Sequence, residues 1–318
     1  MGCSPIHQLW LPSDGDTMTL RISAVVPTRN RPDHAVPCAG SILSNPGDDF
    51  ELLVIDQSDD DATEQALAVY ASDRRFRYVR TSSRGASAAR NVGVEQSTAP
   101  IIAFTDDDCR VSTDWLQQIS ALFEREPEAA LVFGKVSIPD ELKGKGFAAD
   151  FEPHQRAYQG KLPPAHVAWG IGANMSARRS LFERLGTFDP LLGPGSPFRA
   201  GEESDLAIRA IAGGYKIINA AEITLLHLGV REGDEASKLM RGYGRAMGAT
   251  LAKHVRLGTR ESRPLILSWF THFAGKGIVN AALGRRPTGL GLVGGMLAGA
   301  YLSLSQPIDR ARGVYTNR

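Results

Sequence analysis

The stretch from residue 101 to residue 108 reads Ile-Ile-Ala-Phe-Thr-Asp-Asp-Asp. Its apolar first half is typical of a buried β-strand, and three carboxylates follow at the point where that strand ends. Adjacent carboxylates repel one another, and a strand end needs none of them for packing. A divalent cation offsets this repulsion, and oxygen ligands of this kind suit Mg²⁺ or Mn²⁺. We therefore interpret the run as a metal-dependent site in preference to a solvated acidic turn.

Upstream of this stretch, apolar runs alternate with segments of helical periodicity. Alternation of this kind predicts an α/β fold with a mostly parallel sheet flanked by helices. The same patterns continue downstream as far as residue 228. We expect strands at 20–26, 50–55, 77–79, 101–105, 131–136, 216–220 and 223–228, and helices near 35–43, 63–72, 87–96, 115–123, 178–185 and 204–212.

Polar residues gather where the predicted strands end. Pro27, Thr28 and Arg29 follow the first strand, and Asp56 follows the second. Turns favour Asp and Pro, so one such terminus alone would be unremarkable in a loop. Ligands of open α/β sheets bind at the carboxyl ends of the strands. Polar termini on several strands of one sheet therefore predict a shared binding edge.

The segment after the third predicted strand reads Gly-Ala-Ser-Ala-Ala-Arg-Asn from Gly85 to Asn91. Small residues at a helix start allow close backbone approach, and a helix N-terminus favours an anion. Arg90 adds a permanent positive charge. The segment is consistent with a phosphate site and also with an ordinary alanine-rich helix.

A second acidic segment begins at Gly201 and reads Gly-Glu-Glu-Ser-Asp-Leu. Asp205 and Arg209 are spaced i,i+4 and are expected to pair on the helix. Glu202 and Glu203 are then free to face a cleft, where a carboxylate would deprotonate an acceptor hydroxyl. The helix dipole alone also favours acidic residues at this position.

His227 ends the last apolar strand and has two interpretations. Imidazole binds first-row metals, but a lone histidine on an apolar strand is also common as a core residue.

The composition limits the classes of protein to which this chain can belong. The chain has 318 residues, a formal net charge of +1, 42% hydrophobic and 22% charged residues. These values are ordinary for a globular protein and give no overall field that would attract nucleic acid. Cys3, Cys38 and Cys109 form no metal-finger spacing, and such sparse cysteines suit a reducing cytoplasm. Residues 1–18 contain no signal-peptide run and are interpreted as a disordered leader.

The pattern changes near residue 230, where we place a domain boundary between 19–230 and 231–318. The second part is expected to be helical. It contains clustered aromatics at Trp269, Phe270 and Phe273, and residues 288–305 are uncharged. Three hypotheses follow: a helical cap, an interfacial helix at a membrane and a membrane span. Small residues on one face also suit close packing between helices, namely Gly291, Gly295 and Gly299.

Taken in order, these motifs resemble glycosyltransferase family 2, whose members are inverting enzymes with the GT-A fold. That resemblance implies a Rossmann-like mixed sheet flanked by helices, here with a C-terminal helical extension. It covers roughly residues 20–230, and both order and spacing agree with the family. The segments that carry it are 25–31, 54–58, 85–93, 104–108, 172–175, 186–189 and 201–209, followed by His227.

The resemblance implies a role for each site residue. Asp108 is a metal ligand, with Asp106 on the ribose or metal side and His227 as a further ligand. The catalytic base of the family is an Asp at the position where this chain has Glu203. Glu203 and Glu202 are therefore both candidates for the base. The residues that hold the nucleotide-sugar are Pro27, Thr28, Arg29, Asp56, Arg90, Asp106 and Asp107, with Asp56 at the nucleobase and Arg90 near the diphosphate. The sugar and acceptor region includes Trp169, Gly172 and Asn174.

The implied reaction is a single in-line displacement with inversion, assisted by Mn²⁺ or Mg²⁺. The donor is a UDP-, dTDP- or GDP-sugar and the acceptor a glycan or a lipid-linked glycan. Such activity belongs to the synthesis of cell-surface polysaccharide, glycolipid or a related glycan. It is expected in the cytoplasm, with peripheral contact to the inner face of the cell membrane. The residues that select the sugar and acceptor are expected in the irregular loops 137–168 and 190–201.

Three other functions agree less well with these residues. A nicotinamide-dependent oxidoreductase needs glycines after the first strand, and the GxGxxG at 289–294 follows no strand. A sugar-phosphate nucleotidyltransferase needs a basic Gly-rich loop after the first strand, where this chain has Pro27-Thr28-Arg29. A non-catalytic nucleotide-sugar-binding domain needs no base, whereas this chain carries Glu203 as well as the acidic run.

Overall fold

A computed structural model describes residues 7–8, 20–153, 157–160, 170–231, 233–260, 262–284 and 288–316. Its strands are β1 His7–Gln8, β2 Ile22–Thr28, β3 Phe50–Asp56, β4 Phe76–Arg80, β5 Ile101–Phe104, β6 Cys109–Val111, β7 Ala129–Ser137, β8 Phe147–Ala148, β9 Ala157–Tyr158, β10 Met175–Arg178, β11 Lys216–His227, β12 Val230–Arg231, β13 Ile308–Asp309 and β14 Val314–Tyr315. Its helices are α1 Pro32–Leu43, α2 Ala62–Leu67, α3 Ala86–Gln96, α4 Trp115–Arg125, α5 Arg179–Leu185, α6 Glu202–Ala212, α7 Gly233–Leu257, α8 Ser262–Ala282 and α9 Thr288–Leu304.

The central sheet is mixed, as the family resemblance implies. Its order is β1-β4-β3-β2-β5-β10-β7-β11-β6, with β9 paired to β11. Strands β4, β3, β2 and β5 run parallel, β10 lies antiparallel between β5 and β7, and β7 pairs in parallel with β11. Because β2 and β5 are parallel neighbours, the residues that follow them meet at one edge.

Helix α3 lies directly on β2. A Cβ at Gly93 would stand 2.3 Å from a methyl group of Val25, so only glycine permits this approach. Strands β2 and β3 are buried along their whole length, which explains their continuous apolar runs. The resulting core holds the carboxyl ends of these strands in fixed positions.

Several elements differ from the sequence-based expectation, and β6 and β10 are strands of the central sheet where none was predicted. The two strands predicted at 216–220 and 223–228 are one strand, β11, with an irregularity in its pairing between Ala220 and Thr224. Helix α6 begins at Glu202, so both glutamates lie in its first turn. The C-terminal region is not helical throughout, because β13 and β14 form a small hairpin after α9.

The leader predicted at 1–18 contributes β1, where His7 and Gln8 pair with Arg80 and Val79 of β4. The rest of that segment lies outside the described residues.

Helices α7 and α9 cross at very short range. A Cβ at Gly248 would lie 1.8 Å from the carbonyl oxygen of Met296, and one at Gly299 would lie 1.9 Å from that of Arg245. Gly295 likewise faces Gly244. The predicted close packing at Gly295 and Gly299 is therefore confirmed, with α7 as the partner. Within the described part of the chain, no helix has the length and hydropathy needed to cross a bilayer.

A fully buried charge network joins α7 to the sheet domain. Lys253 Nζ lies 2.5 Å from Asp189 Oδ2 and 2.7 Å from Asp205 Oδ1, and all three side chains are 0% exposed. Asp205 also pairs with Arg209 at 3.0 Å, as the i,i+4 spacing predicts. His254 Nε2 lies 2.9 Å from Asp205 Oδ1. The first turns of α6 are thus fixed to the C-terminal region.

Candidate active site

A cleft of about 900 Å³ opens at the carboxyl ends of β2 and β5. It brings together seven of the residues that the sequence predicts for the site. They come from the ends of β2 and β5 and from the end of β11: Pro27, Thr28, Arg29, Asp106, Asp107, Asp108 and His227. The predicted binding edge is therefore a concave surface lined by carboxylates and arginines.

Arg31 holds the acidic run together. It donates to Asp107 Oδ1 at 2.6 Å and to Asp108 Oδ2 at 3.0 Å. The hydroxyl of Thr28 donates to the other oxygen of Asp107 at 2.8 Å. Burial nevertheless raises the pKa of Asp107 to about 7, and the negative charge of Asp108 also raises it. The positive charge of Arg31 lowers this pKa but does not cancel the other two effects. Asp107 thus positions the β2 loop, and Arg31 is a site residue to which the sequence analysis assigned no role.

Asp108 and His227 face each other across the cleft floor. Asp108 Oδ1 and His227 Nε2 are 3.5 Å apart, close enough for one cation to contact both. A Cβ at Gly229 would lie 2.6 Å from Asp108 Oδ2 and 2.8 Å from the His227 ring, so glycine leaves this space open. Burial alone would raise the pKa of Asp108, but His227 and Arg31 outweigh it and lower that pKa. The two residues fit a divalent cation as an oxygen–nitrogen pair.

Cys109 lies near the same two residues. Its thiol is fully buried, and burial raises its pKa well above the usual value. A protonated, soft sulfur is a poor ligand for Mg²⁺ or Mn²⁺, so the donor chemistry favours Asp108 and His227 over Cys109.

Arg90 bridges the two acidic segments. One guanidinium nitrogen donates to Glu202 Oε1 at 2.7 Å and another donates to Asp106 Oδ1 at 2.7 Å. Its side chain is 2% exposed, and Gly172 approaches it so closely that a Cβ there would lie 3.2 Å away. Arg90 therefore lies behind the cleft surface and holds the start of α6 against the acidic run.

The two glutamates of α6 have different environments. Glu202 is buried and ion-paired with Arg90, so the expectation that it is free to face the cleft is wrong. Glu203 is half-buried and forms no ion pair among the described residues. Burial, together with the neighbouring charge and hydrogen bond of Glu202, raises the pKa of Glu203 well above the usual value. Glu203 thus has a greater affinity for a proton than an ordinary glutamate.

The first turn of α3 is covered by the loop at 190–201. The N–H of Ala86 donates to the carbonyl of Pro194 at 2.8 Å, and the hydroxyl of Ser87 donates to that of Leu192 at 2.6 Å. Gly193 has φ 97°, and a Cβ there would lie 2.6 Å from the Ser87 hydroxyl. The first donors of α3 are therefore used within the protein, while Gly85 and Ala86 still line the cleft.

Two further predicted site residues lie inside the protein. Asp56 is 0% exposed and accepts from the Ser58 N–H at 2.8 Å and the Tyr78 hydroxyl at 2.7 Å, so contact with a nucleobase requires one of these donors to move. Asn174 is 2% exposed and bonded to three partners, the Trp115 indole and the carbonyls of Lys135 and Ile223. The structure does not bring either side chain to the cleft surface. Trp169 lies outside the described residues.

The cleft residues that are absent from the set predicted by sequence include two arginines and two aromatic residues: Phe147, Arg199, Arg231 and Tyr243. They come from the two short strands β8 and β12, from one loop and from α7, and no motif marks them.

Comparison with known proteins gives a consistent family. The sequence model described as "Glycosyl transferase family 2" matches residues 23–186, just over half of the chain. The chain is 27% identical over 183 residues to "Putative glycosyltransferase EpsH" of Bacillus subtilis, covering 55% of this chain and 52% of that protein. It is 30% identical over 101 residues to "Glycosyltransferase AglE" of Haloferax volcanii, covering 30% and 33%. The chain thus spans about half or less of these relatives.

Two solved structures share the fold. A mannosyltransferase of Pyrobaculum calidifontis, in complex with GDP-Man and Mn²⁺, superposes with a TM-score of 0.61 at 18% identity, covering 94% of this chain and 90% of that one. Residues 1–349 of S. aureus TarS superpose with a TM-score of 0.61 at 14% identity, covering 90% and 81%. These likenesses confirm the GT-A fold and the helical C-terminal region.

Proposed function

This chain belongs to glycosyltransferase family 2, and we propose that it transfers a hexosyl residue from a nucleotide-sugar to an acceptor hydroxyl with inversion. The observation that carries the proposal is the Arg90 bridge, which holds the Glu202–Glu203 helix start beside the acidic run. A site that only bound a nucleotide-sugar would need no second carboxylate pair at that place. In this proposal residues 19–230 form the catalytic domain.

Glu203 is the base in this proposal. A general base must take a proton readily and must not be held in an ion pair. Glu202 fails the second condition because Arg90 neutralises it, whereas the raised pKa of Glu203 meets the first. Glu203 takes the acceptor proton as the acceptor oxygen attacks the anomeric carbon, and the bond to the nucleoside diphosphate breaks. One displacement without a covalent intermediate inverts the anomeric centre.

Asp108 and His227 are the residues that would hold a divalent cation, Mn²⁺ or Mg²⁺. Such a cation, when bound, supplies positive charge that stabilises the departing diphosphate. Asp107 and Thr28 keep the loop after β2 in place beneath the nucleotide, and Arg31 fixes Asp108 in orientation. The structurally similar mannosyltransferase of P. calidifontis, solved with GDP-Man and Mn²⁺, supports the use of a divalent cation.

A thermal-shift panel of UDP-, dTDP- and GDP-hexoses with and without Mn²⁺ tests the donor class. A ligand that binds only the folded protein raises the melting temperature by mass action. We expect one nucleotide to stabilise the protein, and the stabilisation to need the cation. A panel in which no nucleotide shifts the melting temperature would contradict the proposed function.

The proposal places the enzyme in the cytoplasm at the inner face of a membrane, where a lipid-linked acceptor is available. Helices α8 and α9 expose large apolar side chains, among them Leu267 at 67% and Ile278 at 63%. Residues 262–305 contain no Asp or Glu but carry Arg263, Lys276, Arg285 and Arg286. Apolar side chains combined with positive charge suit the surface of an anionic bilayer.

Flotation with liposomes tests this membrane contact on the full chain. Wild-type protein should float with vesicles rich in phosphatidylglycerol and less with purely zwitterionic ones. The double variant Leu267→Ser/Ile278→Ser should stay at the bottom, whereas Val69→Ser should float, because Val69 is equally exposed at 67% but lies outside the C-terminal helices. Equal flotation of all three proteins would contradict the proposed membrane contact.

A further inference from the structure

One part of the cleft lining combines two arginines with two aromatic rings. The rings of Phe147 and Tyr243 are 6.0 Å apart between centroids. Arg231 pairs with Phe147 across the β12–β8 ladder, and the side chain of Arg199 lies 3.6 Å from the Cβ position of Gly242, next to Tyr243. We call these four residues the arginine–aromatic wall.

The arginines of this wall differ from the others at the site. Arg29 pairs with Asp59, Arg31 with Asp107 and Asp108, and Arg90 with Asp106 and Glu202. By contrast, neither guanidinium of the wall forms a hydrogen bond or an ion pair with any described residue.

The backbone at Arg199 is also unusual. Its φ of 68° lies in the left-handed region, which residues other than glycine seldom adopt. The loop accepts this conformation while presenting an exposed guanidinium to the cleft. The guanidinium of Arg199 is therefore available to a ligand in the cleft.

We propose that the arginine–aromatic wall binds a glycosyl acceptor that carries a phosphate group, with a sugar ring against Phe147 or Tyr243 and the phosphate on Arg199 and Arg231. The inference rests on the proposed function. Guanidinium groups bind phosphate oxygens through paired hydrogen bonds, and an aromatic face packs against the apolar face of a sugar. Three of the four residues lie beyond residue 186, where the family match ends, which suits an acceptor site particular to this chain.

Calorimetric titration of the full chain tests the proposal, with the donor site first saturated by UDP or GDP and Mn²⁺. Glucose 6-phosphate represents phosphate on a soluble glycan, decyl phosphate represents phosphate on a lipid anchor, and glucose is the neutral control. We expect the phosphorylated probes to bind and glucose to bind far more weakly. Whichever phosphorylated probe binds more tightly identifies the source of the acceptor.

The variants Arg199→Gln and Arg231→Gln should each weaken binding of the phosphorylated probe by about tenfold or more, as expected for loss of a charge-assisted hydrogen bond. Arg199→Lys keeps the charge and should lose less. Arg184→Gln, an exposed arginine on α5 outside the cleft lining, should bind like wild type. Nucleotide affinity should stay within about twofold of wild type in every variant, because the proposal assigns the wall to the acceptor and not to the donor.

Three results would overturn the proposal: no binding of either phosphorylated probe to wild type, equal binding by all variants, or a matching loss of nucleotide affinity in both glutamine variants. The last result would assign the arginines to the donor diphosphate. Failure of wild type to bind UDP and GDP would contradict the proposed function instead, and titration of the phosphorylated probes without nucleotide would still test the wall.

Discussion

Arg90 on α3 and Glu202 on α6 form a buried ion pair at 2.7 Å, although 112 positions separate them in the sequence. The same guanidinium reaches Asp106 after β5, so it fixes the distance between the acidic run and the helix that carries Glu203. The geometry of the site therefore depends on a planar side chain with two separate donor edges.

Arg90→Lys tests that dependence. A lysine ammonium cannot reproduce the planar fork that serves both carboxylates, so Glu203 should lose its position. Displacement of a catalytic group costs on the order of 10²-fold in turnover. We expect kcat to fall by about that factor in Arg90→Lys, measured on protein that circular dichroism shows to be folded. Arg178→Lys is the matched control, because the guanidinium of Arg178 donates to the backbone carbonyls of Ala129 and Phe123 and to no carboxylate among the described residues. Equal loss in both variants would assign Arg90 a purely structural role.

Asp108→Asn and His227→Asn test the cation site without an activity assay. Each variant removes one of the two facing ligand atoms. We expect Mn²⁺ affinity, followed by electron paramagnetic resonance of the free ion in the presence of nucleotide, to fall by at least the roughly 10–100-fold that loss of a supporting partner costs. The control Asp140→Asn removes an exposed carboxylate from a surface turn and should bind Mn²⁺ like wild type. Unchanged affinity in His227→Asn would leave Asp108 as the ligand and return His227 to the core interpretation.

Glu203→Gln should make the protein more stable at high pH. Burial and the charge of Glu202 raise the folded-state pKa of Glu203, whereas the unfolded chain titrates near the ordinary value of about 4.3. The folded state therefore binds this proton more tightly, and its contribution to stability is full below the unfolded pKa and is lost as the pH rises through the folded pKa. A permanently neutral glutamine avoids that loss.

The unfolding free energy, measured in urea at pH 5 and pH 8, checks this sign. The gain of Glu203→Gln over wild type should be larger at pH 8 than at pH 5. Glu183→Gln, an exposed glutamate on α5, should show no such difference. A gain that is equal at both pH values would show that Glu203 titrates normally.

Lys253→Met tests the link between α7 and the sheet domain. The variant leaves Asp189 and Asp205 buried without their shared cation, and removal of one partner from a buried pair costs about 3–5 kcal/mol. Lys216→Met breaks the ion pair between Lys216 and Glu126, whose side chains are 22% and 24% exposed. The unfolding free energy should therefore fall by about 0–1 kcal/mol. The unfolding free energies of the two variants give the comparison. Similar losses in both would mean that the buried network adds little to stability.

The sequence predicts much of this architecture because strand patterns are local. The apolar runs of β2, β3 and β5 are buried on both faces, and this produces the continuous hydrophobic stretches that mark them. The i,i+4 pair of Asp205 and Arg209 is likewise predictable from spacing alone.

The contacts that define the site are of a different kind. The Arg90 bridge and the Lys253 network join residues far apart in the chain, and no local pattern records which distant partner a charge meets. Asn174 shows a different kind of error. The family motif predicts it at the site, but its side chain is bonded entirely within the core. Arg199 and Arg231 lie in a loop and a two-residue strand, where periodicity carries no information.

Nuclear magnetic resonance of the transfer reaction tests the central claim most directly, using the donor that the thermal-shift panel selects and a panel of alkyl glycosides and phosphorylated glycans as acceptors. Wild type should form a product whose anomeric configuration is opposite to that of the donor. Glu203→Gln should bind the donor normally but turn over roughly 10²–10⁴ times more slowly, as expected for loss of a general base. Glu203→Asp, which restores the residue usual in the family, should retain transfer. A product with retained configuration, or turnover of Glu203→Gln within a few-fold of wild type, would contradict the account.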